Sequence, residues 1–163
     1  MTTPSEDCYS CRQDASYDTL PPRERIASDV LWRVAHSVGT SLPGWLVLVP
    51  RRHVTSIANL TDDEAAGLGL WQVRLARALH ETTGCAKTYV AQFAEKPGFE
   101  HVHFHMVPRM ADLAPELRGP KVFTLLHPTE AVRVSTVEMD RVALAIRKCL
   151  GQDHGRVHDP RIG

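Results

Sequence analysis

His101-Val102-His103-Phe104-His105-Met106-Val107-Pro108-Arg109 is the stretch of this sequence that decides the fold. Histidine recurs at every second position, with an apolar residue between each pair. Period two is the repeat of a β-strand, whose side chains alternate between its faces. Residues 101–107 are therefore expected to form a strand, with three imidazoles on one face and Val102, Phe104 and Met106 turned into a core. Next-but-one side chains on a strand stand about 6.5–7 Å apart, so the row can line a groove without converging on one atom. A single histidine would read as a polar surface residue or a metal ligand. Three in strict alternation, backed by apolar residues, read as a site. Imidazole titrates near neutrality and serves as nucleophile, general acid or donor to a phosphate oxygen.

Upstream, residues 87–93 read as the partner strand, with Lys96-Pro97-Gly98 as a turn between the two. Before them, Thr61-Asp62-Asp63-Glu64 forms a capping box, and Leu68, Trp71, Leu75 and Leu79 follow at helical spacing. A helix is expected over 62–82, with Gly84 as its stop. Residues 31–36 and 45–49 read as two further strands around the turn Ser41-Leu42-Pro43-Gly44. Downstream, 113–120 reads as a Pro- and Gly-punctuated loop. Ser135-Thr136-Val137-Glu138 is a second capping box, opening a helix through Leu150 with Gly151 just beyond it. Leu20-Pro21-Pro22 breaks the chain early, so 1–24 is expected to be mostly irregular and 152–163 to be a frayed polar tail. A few antiparallel strands with segregated helices make an α+β fold.

Length and composition fit one domain of 163 residues, 43% hydrophobic and 23% charged. Nineteen basic residues balance nineteen acidic ones, which argues against a general binder of nucleic-acid polymers or membrane surfaces but not against a local anion site. The longest apolar run, 45–50, is too short to span a bilayer. The polar, acidic N-terminus lacks the features of a signal peptide, so a cytoplasmic location is expected. There the four cysteines would stay reduced. Cys8-Tyr-Ser-Cys11 then reads as half of a metal site or as a bare thiol pair, and Cys85 and Cys149 as packing residues.

The triad stretch resembles the signature of the histidine triad (HIT) family, histidine alternating with apolar residues, at all seven positions, and Pro108-Arg109 resembles the usual exit. Pro43-Gly44-Trp45-Leu46-Val47-Leu48-Val49-Pro50-Arg51-Arg52-His53 is similar to the strand and loop that precede the family's long helix. The resemblance covers about residues 32–109, plus the N-terminal cysteine pair seen in one branch. It divides the chain into an N-terminal segment (1–24), a HIT core (25–110) and a C-terminal loop and helix (111–163) completing the same domain.

The resemblance implies an HIT-like fold, a homodimer, and a nucleotide or dinucleotide ligand. It makes His103 the nucleophile that takes the nucleotidyl group and gives His105 a hydrogen bond to the phosphate or bridging oxygen. Histidine rather than glutamine at position 105 favours water as the final acceptor. Gln92 stands where dinucleoside polyphosphate hydrolases carry a phosphate-contacting glutamine. His36, with Ser37, lies closest to the ribose-contacting position. The bacterial branch implies a structural Zn²⁺ held by Cys8, Cys11, His53 and His101, two thiolates and two imidazoles being a closed tetrahedral set. Two departures stand out: Trp45 replaces the histidine common after Pro-Gly, and Glu100 places a negative charge beside the triad. The implied activity is cleavage of a phosphoanhydride next to a nucleoside monophosphate, in diadenosine polyphosphates or other AMP-linked substrates. A nucleoside phosphoramidase, a nucleotide-binding regulator with little turnover and a zinc-binding structural module are the alternatives.

Overall fold

A computed structural model describes residues 7–153. The chain opens with helix α1 (Tyr9–Ala15), then runs through strands β1 (Ala27–Ser28), β2 (Trp32–His36) and β3 (Leu46–Pro50). Helix α2 (Asp62–Thr83), strands β4 (Lys87–Ala91) and β5 (Phe104–Arg109), and helix α3 (Thr136–Asp153) complete it. The strands form one antiparallel five-stranded sheet in the order β1-β2-β3-β5-β4. The α+β architecture expected from the sequence is present.

Period-two alternation gives the sheet two different faces. Trp32, Val34, Leu46, Leu48, Phe104 and Met106 share one face and pack with Leu75, Leu79, Val142 and Ile146 from α2 and α3. Burying such side chains contributes about 1.5–3 kcal/mol each. The opposite face carries a smaller cluster, in which Trp45 and Val107 pack on Val122 with Phe123 and Leu126 beside them. Between that cluster and α1 the face stays open, and the cavity described below lies there.

Helix α2 forms where its signals place it. Thr61 Oγ1 accepts from the Glu64 amide, and the Glu64 carboxylate accepts from the Thr61 amide, closing the capping box. Gly84 ends the helix in the left-handed region at φ 69°. Arg52 grips the buried Glu64 with two hydrogen bonds of 3.1 and 2.7 Å, which fixes the loop carrying His53.

Four expectations are corrected. The described part of the N-terminal segment is more ordered than expected: Tyr9–Ala15 is a helix, and Tyr17–Thr19 and Pro22–Glu24 are 3-10 turns. Docking supplies the order that local propensity lacks. Arg33 on β2 donates to the Ser10 carbonyl, Tyr9 donates to Glu24, and Arg23 pairs with Asp140 of α3. The triad strand begins at Phe104 rather than His101. Its ladder with β3 runs only to the Leu48–Phe104 pair, and the next partners would reach Pro50, which has no N–H to give. Val102 donates instead to the Val54 carbonyl. The loop over 113–120 contains the 3-10 turn Pro115–Leu117 and enters a second one, Gly119–Leu125, whose Val122 packs under Trp45. Helix α3 passes through Gly151 to Asp153, and Glu138 completes only half of its box because its carboxylate pairs with Arg141. The tail expected over 152–163 lies mostly outside the described residues.

Gly44, at φ +86°, turns the chain into β3 and donates its N–H to the ring of His36. A Cβ there would meet Thr83 Cγ2 at 3.0 Å. Gly44→Ala is expected to cost about 1–3 kcal/mol through backbone strain, measurable as a lower urea midpoint.

Candidate active site and metal centre

Residues on the open face of the sheet line a cavity of about 470 Å³. Arg33 and Ala35 of β2 and Val47 and Val49 of β3 form its floor, and His103 and His105 stand in one wall. Tyr9, Ser10 and Glu24 close one end, while Phe93 to Lys96, Phe99 and the segment from Phe123 to Arg133 supply the rest. A shallower depression of about 610 Å³ on α2 and the outer edge of β4 contains none of the triad.

The histidine row divides between two sites. The Nδ1–H of His103 donates to the His101 carbonyl at 2.8 Å, which leaves Nε2 as the bare lone pair in the cavity wall. Burial holds His103 below the ordinary imidazole range, so the ring is neutral and its Nε2 available. The ring of His105 lies 4.9 Å from that of His103 and 5.0 Å from Phe123, both edge-on. Trp45 donates its indole N–H to Nδ1 of His105 at 3.0 Å, inside the protein. Burial, with the neighbouring His103 imidazole second, pushes His105 down to about 3.

His101 turns to the other site. Its Nε2–H donates to the Pro50 carbonyl at 2.8 Å, and its Nδ1 lies 3.5 Å from Cys8 Sγ and 3.6 Å from Cys11 Sγ. Nδ1 of His53 lies 3.2 Å from Cys11 Sγ. The four ligand atoms all fall within 4.8 Å of one another. Zinc–nitrogen and zinc–sulfur bonds of about 2.1 and 2.3 Å at tetrahedral angles would set ligand atoms about 3.3–3.8 Å apart. The set therefore fits a tetrahedral ion and can hold one. The Pro50 carbonyl also fixes the tautomer of His101 that a ligand needs. Burial and the neighbouring Cys8 push the Cys11 thiol up to about 12, so the pair gains from a cation that binds thiolate.

The two expected substrate contacts outside the triad are placed differently. Gln92 is half-buried just past β4 but does not line the cavity. Ala91 pairs across from His105 and shares its face, so alternation sends Gln92 the other way and brings Phe93 back. His36 reaches the rim, yet both ring nitrogens are taken: Nδ1–H donates to Ser37 O at 2.9 Å and Nε2 accepts from Gly44 N at 3.0 Å. Its parity is that of Trp32 and Val34, toward the core. Glu100 is exposed and outside the cavity, while Glu95 lines it. Sequence reasoning missed Tyr9, Glu24, Arg33, Lys96, His127, Arg133 and Phe123, because no local pattern marks them. Arg33 alone carried a hint, as a charged residue inside an apolar strand.

No family model matches the chain. A curated bis(5'-adenosyl)-triphosphatase from Dictyostelium discoideum is 34% identical over 71 residues, covering 42% of this chain. The chain's match spans about half, 48%, of that relative's length. Among solved structures, a histidine triad protein from Bradyrhizobium japonicum is 27% identical with a TM-score of 0.64, covering 77% of this chain and 89% of its own. With the triad in place on this sheet, the chain shares the fold of histidine triad proteins. A Zn-bound histidine triad family protein from Mycobacterium smegmatis shares the fold, at 22% identity and a TM-score of 0.66 over 91% of this chain and 96% of that one. Among the described residues, no helix is long and apolar enough to cross a membrane.

The depressed His105 gives a pH signature. Its folded pKa of about 3 lies below the ordinary 6.5, so between those values the unfolded chain binds a proton that the folded chain refuses. This contribution to stability is complete above pH 6.5 and is lost as pH falls toward 3. Urea unfolding is expected to show lower stability at pH 5 than at pH 7, with a smaller difference in His105→Asn.

Proposed function

We propose that this protein hydrolyses a phosphoanhydride bond next to a nucleoside monophosphate, as in diadenosine polyphosphates or other AMP-linked compounds. The observation that carries the reading is the bare Nε2 of His103, held by the His101 carbonyl and facing a cavity large enough for a nucleotide. Nε2 attacks the phosphorus, the P–O bond to the departing phosphate breaks, and its electron pair leaves on that oxygen. The nucleotidyl-histidine keeps its Nδ1–H on the His101 carbonyl, which shares the new positive charge. Water then attacks phosphorus, the P–N pair returns to Nε2, and a proton passes to solvent. His105 donates a hydrogen bond to a phosphate or bridging oxygen. Arg33, Lys96 and Arg133 line the same cavity and favour an anionic ligand, offsetting Glu24 and Glu95. The apolar floor of Ala35, Val47 and Val49 suits a base. The similarity to a bis(5'-adenosyl)-triphosphatase over 71 residues supports the same class.

The metal in this reading is a structural Zn²⁺ on Cys8, Cys11, His53 and His101. It ties α1, which walls the cavity, to the loop after β3 and to the start of the triad. The working unit is a homodimer in the cytoplasm. The unpaired edge of β4 and the exposed Leu70 and Val73 of α2 support self-association.

His103→Ala is expected to abolish nucleotide release while leaving binding measurable, since an oriented nucleophile is worth up to about 7–11 kcal/mol. His105→Ala should slow the reaction about 10²–10³-fold, the loss of one preorganised donor. Single-turnover kinetics with diadenosine triphosphate, plus mass spectrometry of an acid-labile adduct, test both. Parental rates in His103→Ala would remove the assignment, and parental rates in both variants would leave a binding protein. Elemental analysis of protein purified without added metal should give about one zinc per chain, and Cys11→Ser should lower both that content and the melting temperature.

A further inference from the structure

Trp45 stands where its indole decides what His105 can do. The ring of His105 has one wall of the cavity to face, and its Nδ1 points away from it, into the cluster of Trp45, Val107 and Val122. There the indole N–H donates to Nδ1 at 3.0 Å. Indole nitrogen only ever donates, so Nδ1 must present its lone pair, and the ring's proton sits on Nε2. Trp45 itself is fully buried and is wedged edge-on against His105 and Phe123, with centroids 5.8 and 5.2 Å apart. It cannot turn aside without opening that cluster.

We propose that Trp45 fixes His105 as a hydrogen-bond donor with no proton to give, which restricts the site to leaving groups that depart unprotonated. The inference rests on the hydrolase reading above and names the bond it cleaves. An imidazole acts as general acid when both nitrogens carry hydrogen, so that losing one leaves the neutral ring. A second proton on His105 would set N–H against the N–H of Trp45, with nothing accepting from either. With Nδ1 already accepting, giving up the Nε2 proton would leave an imidazolate, which is far too basic to form. In a phosphoanhydride this does not matter. His103 Nε2 forms the bond to phosphorus, the P–O bond breaks, and the pair leaves on a phosphate whose charge the remaining oxygens share. His105 Nε2–H steadies that oxygen without transferring its proton. In a phosphoramidate the pair would leave on nitrogen as an amide anion unless a proton arrived with it, and His105, held in this tautomer, supplies none. Trp45 is thus a positioning residue that acts through His105, and it separates the anhydrides from the P–N compounds open to the same nucleophile.

The test compares diadenosine triphosphate, adenosine 5'-phosphoramidate and a series of AMP aryl esters of graded leaving-group pKa. The parent enzyme should show kcat/KM at least about 10²-fold higher on the anhydride than on the phosphoramidate, the usual worth of a general acid. Its ester rates should climb steeply as the leaving group becomes more acidic. Trp45→Phe frees Nδ1, so its phosphoramidate-to-anhydride ratio should rise by about tenfold or more and its ester dependence should flatten. Long-range ¹H–¹⁵N correlation on histidine-labelled parent protein, assigned with His105→Asn, should show hydrogen on Nε2 and none on Nδ1. That reading stands even if Trp45→Phe does not fold. Comparable parental rates on anhydride and phosphoramidate, or hydrogen on Nδ1, overturn the restriction while the hydrolase reading survives. Absence of turnover on every substrate overturns both.

Discussion

The carbonyl oxygen of His101 is the point on which both sites of this protein turn. It accepts the Nδ1–H of His103 and so sets which nitrogen of that ring meets the cavity. The side chain of the same residue faces the thiols of Cys8 and Cys11, anchored through its own Nε2–H to Pro50. One residue thus orients the proposed nucleophile with its backbone and completes the ligand cluster with its ring. A shift of the peptide by a fraction of an ångström would disturb both, and the surroundings resist it: Val102 is buried in the core and bonded to Val54, and Phe104 is locked into the ladder.

The fold was legible because its signals are local and redundant. The Thr61 box, the Leu68–Trp71–Leu75–Leu79 spacing and Gly84 describe α2 three times over, and the helix follows them. Alternation in the triad correctly placed Val102, Phe104 and Met106 in the core. It failed to divide the row, because the division comes from Pro50 on a different strand, and a missing N–H makes no pattern at its partner. The N-terminal segment was illegible for a related reason. Nothing in the local propensity of Tyr9–Ala15 demands a helix; its order depends on Arg33, Glu24 and Gly98, which lie far along the chain.

The site was legible in its chemistry and not in its walls. The ligand cluster Cys8, Cys11, His53 and His101 assembles as the resemblance implied. Gln92 and His36 were chosen by position alone: Gln92 lies outside the cavity lining, while His36 lines it with both ring nitrogens bonded to Ser37 and Gly44. Trp45 appeared in the sequence only as a departure. Its meaning lay in a partner sixty residues away. A residue that acts by accepting or refusing a hydrogen on another ring leaves no mark in composition or spacing.

The cavity has a floor and an end wall that belong to different parts of the chain. The floor is sheet, with Ala35, Val47 and Val49 in a register fixed by ladders on both sides. The end wall is Tyr9, Ser10 and Glu24, residues held by a docked helix and by side-chain bonds to Arg33 and to each other. Substitutions in that wall can reshape what fits beside the floor without moving the strand that carries His103. Such a division separates the part of the cavity that sets which ligand fits from the strand that carries the reacting nitrogen.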